Sequence, residues 1–241
     1  MSFIDHKRIR CTRTYNTLKP ANYNNTKCIL LHAKNSGPLA DADKTFNDKT
    51  WLENSAELLG VNHTCITIDK SYQDFAYTDK IPAYYDFVCN TPYEYVLISD
   101  STDSVVTKNP DDAIELLSYY NCDVIYSTTH WWDYDSFTMP EQYKFNFEKY
   151  GRTYLNSGVC LGKTETLKKL FKRVLDYASF EPASYYTKTY RDSNGYVNWT
   201  PEQLAQFPKN VSDDQTIIRY LLKEFWPLVK IDDKFLLAAE R

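Results

Sequence analysis

Residues 93–106 read YEYVLISDSTDSVV. Val96, Leu97 and Ile98 form a continuous apolar run, mostly β-branched, which is the pattern of a buried strand. Asp100, Ser101, Thr102 and Asp103 follow at once, so the run ends in two carboxylates three positions apart. In open α/β sheets, ligands bind beyond the carboxyl ends of the strands. Asp100, the first acid past the run, is expected at that edge. A hard dication such as Mg²⁺ or Mn²⁺ takes oxygen ligands, often one or two carboxylates with substrate phosphates completing the shell. Asp100 and Asp103 suit that use if the chain turns between them. The alternative is that Asp103 starts a turn and Asp100 caps it.

Working outward, KCILLHA (27–33) and HTCITID (63–69) read as strands on either side of a helix over KTWLENSAELLG (49–60). That helix places Trp51, Leu52, Ala56, Leu58 and Leu59 on one face and stops at Gly60. IPAYYDFVCN (81–90) is a helix with Pro82 in its first turn. PDDAIELLSYY (110–120) is a helix with acids where the dipole favours them. CDVIYST (122–128) and TYLNSGVCLG (153–162) are strands. KTETLKKLFKRVLDYA (163–178) is the clearest amphipathic helix, DDQTIIRYLLKEF (213–225) another, and PLVKIDD (227–233) a last strand. The mostly βαβαβα order predicts one α/β domain with a largely parallel central sheet flanked by helices. Residues 1–25, polar and without periodicity, read as an irregular N-terminal arm ahead of a domain over 26–241. The polar, aromatic stretch 179–210 reads as a long loop, a lid or acceptor region.

The composition is that of a soluble globular protein, with 43% hydrophobic and 25% charged residues. A net charge of −4 argues against broad coating of nucleic acid. The N-terminus lacks the apolar run of a signal peptide, and no stretch approaches the roughly 18 apolar residues of a membrane span. The six cysteines form no CxxC pair, so buried free thiols in the cytoplasm are expected rather than disulfides or zinc ligands.

Other motifs are ambiguous singly. SGVCLGKT (157–164) approximates a P-loop, but one residue too few separates Gly158 from Gly162 for the backbone to wrap phosphates. A close backbone approach or a tight strand–helix junction explains those glycines instead. In SDDQT (212–216), Ser212 or Asp213 could cap the following helix, with Gln215 or Thr216 completing the cap. Otherwise Asp213 and Asp214 face the same cleft as Asp100, as a base or as ligands for substrate hydroxyls. Asp232 and Asp233 in KIDDKF (230–235) read as a solvated turn. Trp131 and Trp132 follow a strand, where they either stack on a sugar ring or simply pack. Paired acids of the haloacid-dehalogenase phosphatases lie two positions apart, so the spacing here excludes that chemistry.

In order, VLISDSTDSVV, YLNSGVCLG, SDDQTIIRYLL and KIDDKF resemble the glycosyltransferase domain of the procollagen lysyl hydroxylase/glucosyltransferase family. That family reads D-S-x-D, then F-L-N-S-G-G-x-x-G, then D-D-Q, then L-D-H-K. The resemblance covers roughly residues 27–235 and implies a GT-A-like fold. It implies a metal-dependent hexosyltransferase using a nucleotide-diphosphate sugar, UDP-glucose or UDP-galactose. By resemblance, Asp100, Asp103 and Asp233 hold Mn²⁺ or Mg²⁺, with Asp233 standing where the family has a histidine. Asp213 and Asp214 match acids needed for activity, and Gln215 follows them. Asn156, Ser157 and Gly158 match the lining of the sugar pocket, Lys80 a lysine near the phosphates, and Trp131 or Trp132 an aromatic gate. His32 and Ala33 lie where the nucleobase is held, and Thr102 replaces the tyrosine that flanks it.

No lysyl hydroxylase domain accompanies these motifs. A cytoplasmic acceptor, in a viral host or a bacterium, is therefore expected: a glycan or lipid-linked sugar, a protein, or a hydroxylated DNA base. Two rival readings share the fold. One is a sugar- or nucleotide-binding module without turnover. The other is a sugar nucleotidyltransferase, which normally carries a glycine-rich phosphate loop near the first strand, where HAKNSGPLADADK has one glycine.

Overall fold

The computed structural model describes residues 3–6, 14–36, 49–71, 74–129, 140–151, 153–180, 211 and 213–239. Among them the fold is α/β, a six-stranded sheet flanked by helices and compatible with a GT-A-like arrangement. The strands are β2 Cys28–Asn35, β3 His63–Ile68, β4 Tyr95–Asp100, β6 Val124–Thr129, β7 Tyr154–Lys163 and β8 Val229–Ile231, in the order β3-β2-β4-β7-β6-β8. All run parallel except β7, which is antiparallel to both neighbours. That reversal has a geometric consequence. The start of β7, residues 154–158, lies at the edge where β2, β4 and β6 end.

Alternation along the strands builds a core on each face of the sheet. Ile29, Leu31, Val96, Ile98, Tyr126 and Cys160 point to one side. They pack with helices α2 Lys80–Asn90, α6 Thr164–Leu175 and α7 Asp214–Leu221. Leu30, Leu97, Ile125, Val159 and Leu161 point to the other, against α1 Trp51–Leu59 and the short helices α3 Pro110–Ala113 and α4 Glu115–Tyr120. The amphipathic pattern of α6 is realised: Leu167, Leu170, Phe171 and Val174 are buried. Gly162 is the tight strand–helix junction, since a Cβ there would lie 2.7 Å from Val124 and 2.9 Å from Leu167.

Local signals explain the helix ends. Thr50 Oγ1 accepts from Glu53 N, and Glu53 Oε2 accepts from Thr50 N, a capping box that starts α1. Gly60 stops it in the left-handed conformation at φ 61°. The helix expected over 110–120 is two, broken at Ile114. Its first-turn acid Asp111 is more than a dipole partner. Its carboxylate accepts from the backbone N–H of Thr26, Lys27 and Cys28 at 2.7–3.0 Å and fixes the entry to β2.

Within the stretch expected to be an irregular arm, one described segment forms a strand. β1 Ile4–His6 lies between β5 Ser104–Val106 and β9 Ala238–Ala239 in a small second sheet. Ile4 is fully buried there. Helix α5 Pro140–Tyr150 adds an element that the sequence reading lacked. Among the described residues, no helix is long and apolar enough to cross a membrane. Cys28, Cys65, Cys89, Cys122 and Cys160 are free thiols.

Candidate active site

The sheet register brings the carboxyl end of β4 to the start of β7. Ala33 pairs with Asp100, and Ser99 with Val159, so Asp100 and Gly158 come next at the edge. A small crevice there is lined by Lys80, Tyr84, Asp100, Tyr126, Ser157 and Asp214, among others.

Lys80 organises it. As the first residue of α2 it faces the unfavourable end of the helix dipole, and it is only 9% exposed. Carboxylates offset both penalties: Nζ lies 3.4 Å from Asp100 Oδ1 and 3.3 Å from Asp214 Oδ2. Burial would lower the pKa of the ammonium, but the charges of Asp214 and Asp100 outweigh it and hold the lysine well above its ordinary range. The neighbouring Asp79 steadies the turn, accepting from Lys70 Nζ and from Ala76 N, each at 2.7 Å.

Asp214 is the unusual acid. Burial pushes its carboxyl up to about 6; Lys80 pulls it back, and the charges of Asp213 and Asp100 add to the rise. Burial thus works against the charge on Asp214, while the two carboxylates favour the charge on Lys80. Asp213 behaves differently. It is the N-cap of α7, its carboxylate accepting from Thr216 N at 3.1 Å and from the Thr216 hydroxyl. The capping expectation describes Asp213; of the two acids expected in the cleft, Asp214 lines the crevice with Asp100 and Asp213 is not among its lining residues.

The N-S-G segment is held from α7 and β6. Gln215 Oε1 accepts from Ser157 N at 3.0 Å, and Asn156 Oδ1 accepts from Gly158 N at 2.7 Å. The pairing of β6 with β7 shifts register between Tyr126 and Thr128, and the Ser127 hydroxyl at that irregularity donates to Asn156 O. Bulges of this kind are common beside active sites, where they re-aim a strand.

Other expected residues fall elsewhere. His32 is fully buried, with Nδ1 2.9 Å from Ser101 Oγ and Nε2 3.2 Å from His63 Nδ1. Both ring nitrogens are engaged inside the protein, so His32 presents no edge to a nucleobase and that expectation is corrected. Ala33 is half-buried against the core. Thr102 and Asp103 are half-buried in the bend between β4 and β5. Asp232 and Asp233 are not the solvated turn that KIDDKF suggests. Asp232 is buried and accepts from Tyr120 OH, Leu236 N and Leu237 N at 2.6–2.9 Å, whereas Asp233 is exposed. Trp131, Trp132 and residues 181–210 of the aromatic stretch lie outside the described residues.

Two crevice residues escaped the sequence reading. Tyr84 lies one helical turn after Lys80, and Tyr126 sits on the same sheet face as Cys160. Burial raises the pKa of both phenols, so they stay uncharged beneath the charged cluster. The i, i+4 spacing from Lys80 to Tyr84 was a signal available in the sequence.

For a dication, the donors on the loop after β4 are oxygens, as a hard ion requires, and the Asp100 side chain is 38% exposed. Among the described residues no three His, Cys, Asp or Glu side chains form a ready cage. The fit is to an ion held by one or two carboxylates whose shell a phosphate ligand completes. The sequence matches no protein-family model, and no curated protein matches it significantly.

Proposed function

We propose that this protein is a metal-dependent glycosyltransferase that moves a hexose from a nucleotide-diphosphate sugar to a hydroxyl acceptor. The observation that carries the reading is a buried lysine between two aspartates at the edge where β2, β4 and β6 end. Departure of a nucleoside diphosphate builds negative charge, and a fixed ammonium stabilises charge that grows in the transition state. Lys80 supplies it. Asp100 and Asp103 would hold Mn²⁺ or Mg²⁺, and a bound dication supplies Lewis-acid neutralisation of the diphosphate.

Asp214, held near neutrality, accepts hydrogen bonds from sugar hydroxyls or takes the proton of the acceptor hydroxyl. Ser157, fixed through its backbone by Gln215, lines the same crevice. Acceptors compatible with this chemistry are a glycan or lipid-linked sugar, a protein hydroxyl, or a hydroxylated DNA base. The test is release of UDP from UDP-glucose or UDP-galactose with and without Mn²⁺. Wild type should release it only with the ion, and Asp100→Ala should abolish release. Equal release by Asp100→Ala would overturn the reading.

A further inference from the structure

Exposure falls along the crevice. The Asp100 side chain is 38% exposed, Lys80 11% and Asp214 5%, and Tyr126 as a residue only 1%. Among the described residues, Tyr126 Oη is buried and has no hydrogen-bond partner. The Cys160 thiol lies beside it but outside hydrogen-bonding geometry. Buried polar groups left in this way are rare, because each forfeits its hydration for nothing in return. Lys80 has bonding capacity to spare at the same place. An ammonium carries three N–H donors. Its two carboxylate partners lie 3.3 and 3.4 Å away, whereas Lys34, Lys70 and Lys163 lie 2.7–2.8 Å from theirs. The crevice thus sets two donors, Tyr126 and Lys80, beside an acceptor, Asp214. A hydroxyl complements that set, since it accepts and donates at once; an anion would satisfy the donors but meet the carboxylate. The free space is about that of one water molecule, so it suits a single hydroxyl and excludes a ring.

We propose that Tyr126 is a specificity-determining residue, its phenol donating to one hydroxyl of a hexose whose ring stays at the crevice mouth. The identity of the ligand rests on the function proposed above; the preference for a hydroxyl rests on the crevice itself. Bulk water offers the same chemistry, and the test separates the two sources. A site that commits a buried donor to a substrate hydroxyl rejects the analogue lacking it, because the donor is then left unpaired. Tyr126 therefore sets which hexose is accepted, through the one hydroxyl it meets.

The experiment compares wild type with Tyr126→Phe, which removes the hydroxyl and keeps the ring. The donors are UDP-glucose, UDP-galactose and the corresponding monodeoxy sugars, each with Mn²⁺. In wild type, one deoxy donor should lose roughly 10²-fold or more in kcat/KM against its parent. Tyr126→Phe should lose about 10-fold on the parent, the scale of one hydrogen bond, and use that deoxy donor at least as well as wild type does. Equal losses on every donor would make the phenol structural, and no loss on any would leave it to water; either result overturns the proposal. A second readout needs no turnover. The tyrosine ¹³Cζ NMR signal that is absent from Tyr126→Phe should move in wild type when UDP-sugar or free glucose or galactose is added. A signal that stays still with all of them overturns the proposal. Movement with free hexose but no UDP-sugar turnover would count against the proposed function alone.

Discussion

Asp214 and Asp232 are both buried carboxylates, and each belongs to an adjacent pair of acids, yet their surroundings differ in kind. Asp232 is met by three neutral donors: the Tyr120 hydroxyl and two backbone N–H groups of the turn leading to β9. Asp214 faces an ammonium 3.3 Å away at the wall of a small crevice, with a second carboxylate on the far side of that ammonium. The first arrangement closes on itself and fixes a turn. The second keeps charge beside a crevice, at a cost in stability. A carboxylate saturated by its own fold is structural; one poised against a lysine in a cleft is a candidate for chemistry.

The sharpest way to break this contrast is to remove the cation. Lys80→Met should destabilise the fold by about 3–5 kcal/mol in urea melts at pH 8, because it removes the cation that faces the buried Asp214 carboxylate. The loss should shrink as the pH falls through 6, where Asp214 takes up a proton. A loss independent of pH would mean that Asp214 is not coupled to Lys80.

Next in size, Asp214→Asn should cut donor turnover by roughly 10²–10³, the scale of losing one preorganised electrostatic group. Its stability should stay within about 1 kcal/mol of wild type, since the fold already favours the neutral carboxyl. The sign follows from the raised pKa: that contribution is complete below the ordinary carboxylate value of 3.8 and is lost as the pH rises through 6. Asp232→Ala should show the reverse. It strands two backbone donors and the Tyr120 hydroxyl, so a stability loss of roughly 3 kcal/mol is expected. Turnover per folded molecule should be unchanged. The smallest effect belongs to Gln215→Ala, which frees Ser157 N and should cost about 1 kcal/mol. It should raise the KM for the donor more than it lowers kcat.

How much of this was legible in the sequence follows from the range of the interactions. Buried strands such as 95–100 and the amphipathic helix over 164–175 announce themselves by local periodicity, and their bounds fall close to expectation. β1 and β9 have three and two residues, too few to show alternation; only pairing across the chain creates them. Asp100 and Asp214 could be singled out because a strand end and a helix start mark their places. Asp232 could not be separated from Asp233, because its donors come from residue 120 and from a turn that forms only when β9 docks. His32 was misplaced for the same reason. Its position at the strand end suggested a ligand, while its partners Ser101 and His63 lie 69 and 31 residues away in sequence.

The central claim is that Asp214 and Lys80, not the acids of the closing turn, carry glycosyl transfer. The direct test is UDP release from UDP-glucose or UDP-galactose with Mn²⁺, compared across wild type, Lys80→Met, Asp214→Asn and Asp232→Ala, each normalised to its folded fraction. The account predicts turnover in wild type and Asp232→Ala and its loss in the other two. Wild-type turnover retained in Asp214→Asn, or no UDP-sugar turned over or bound with any dication, would contradict it.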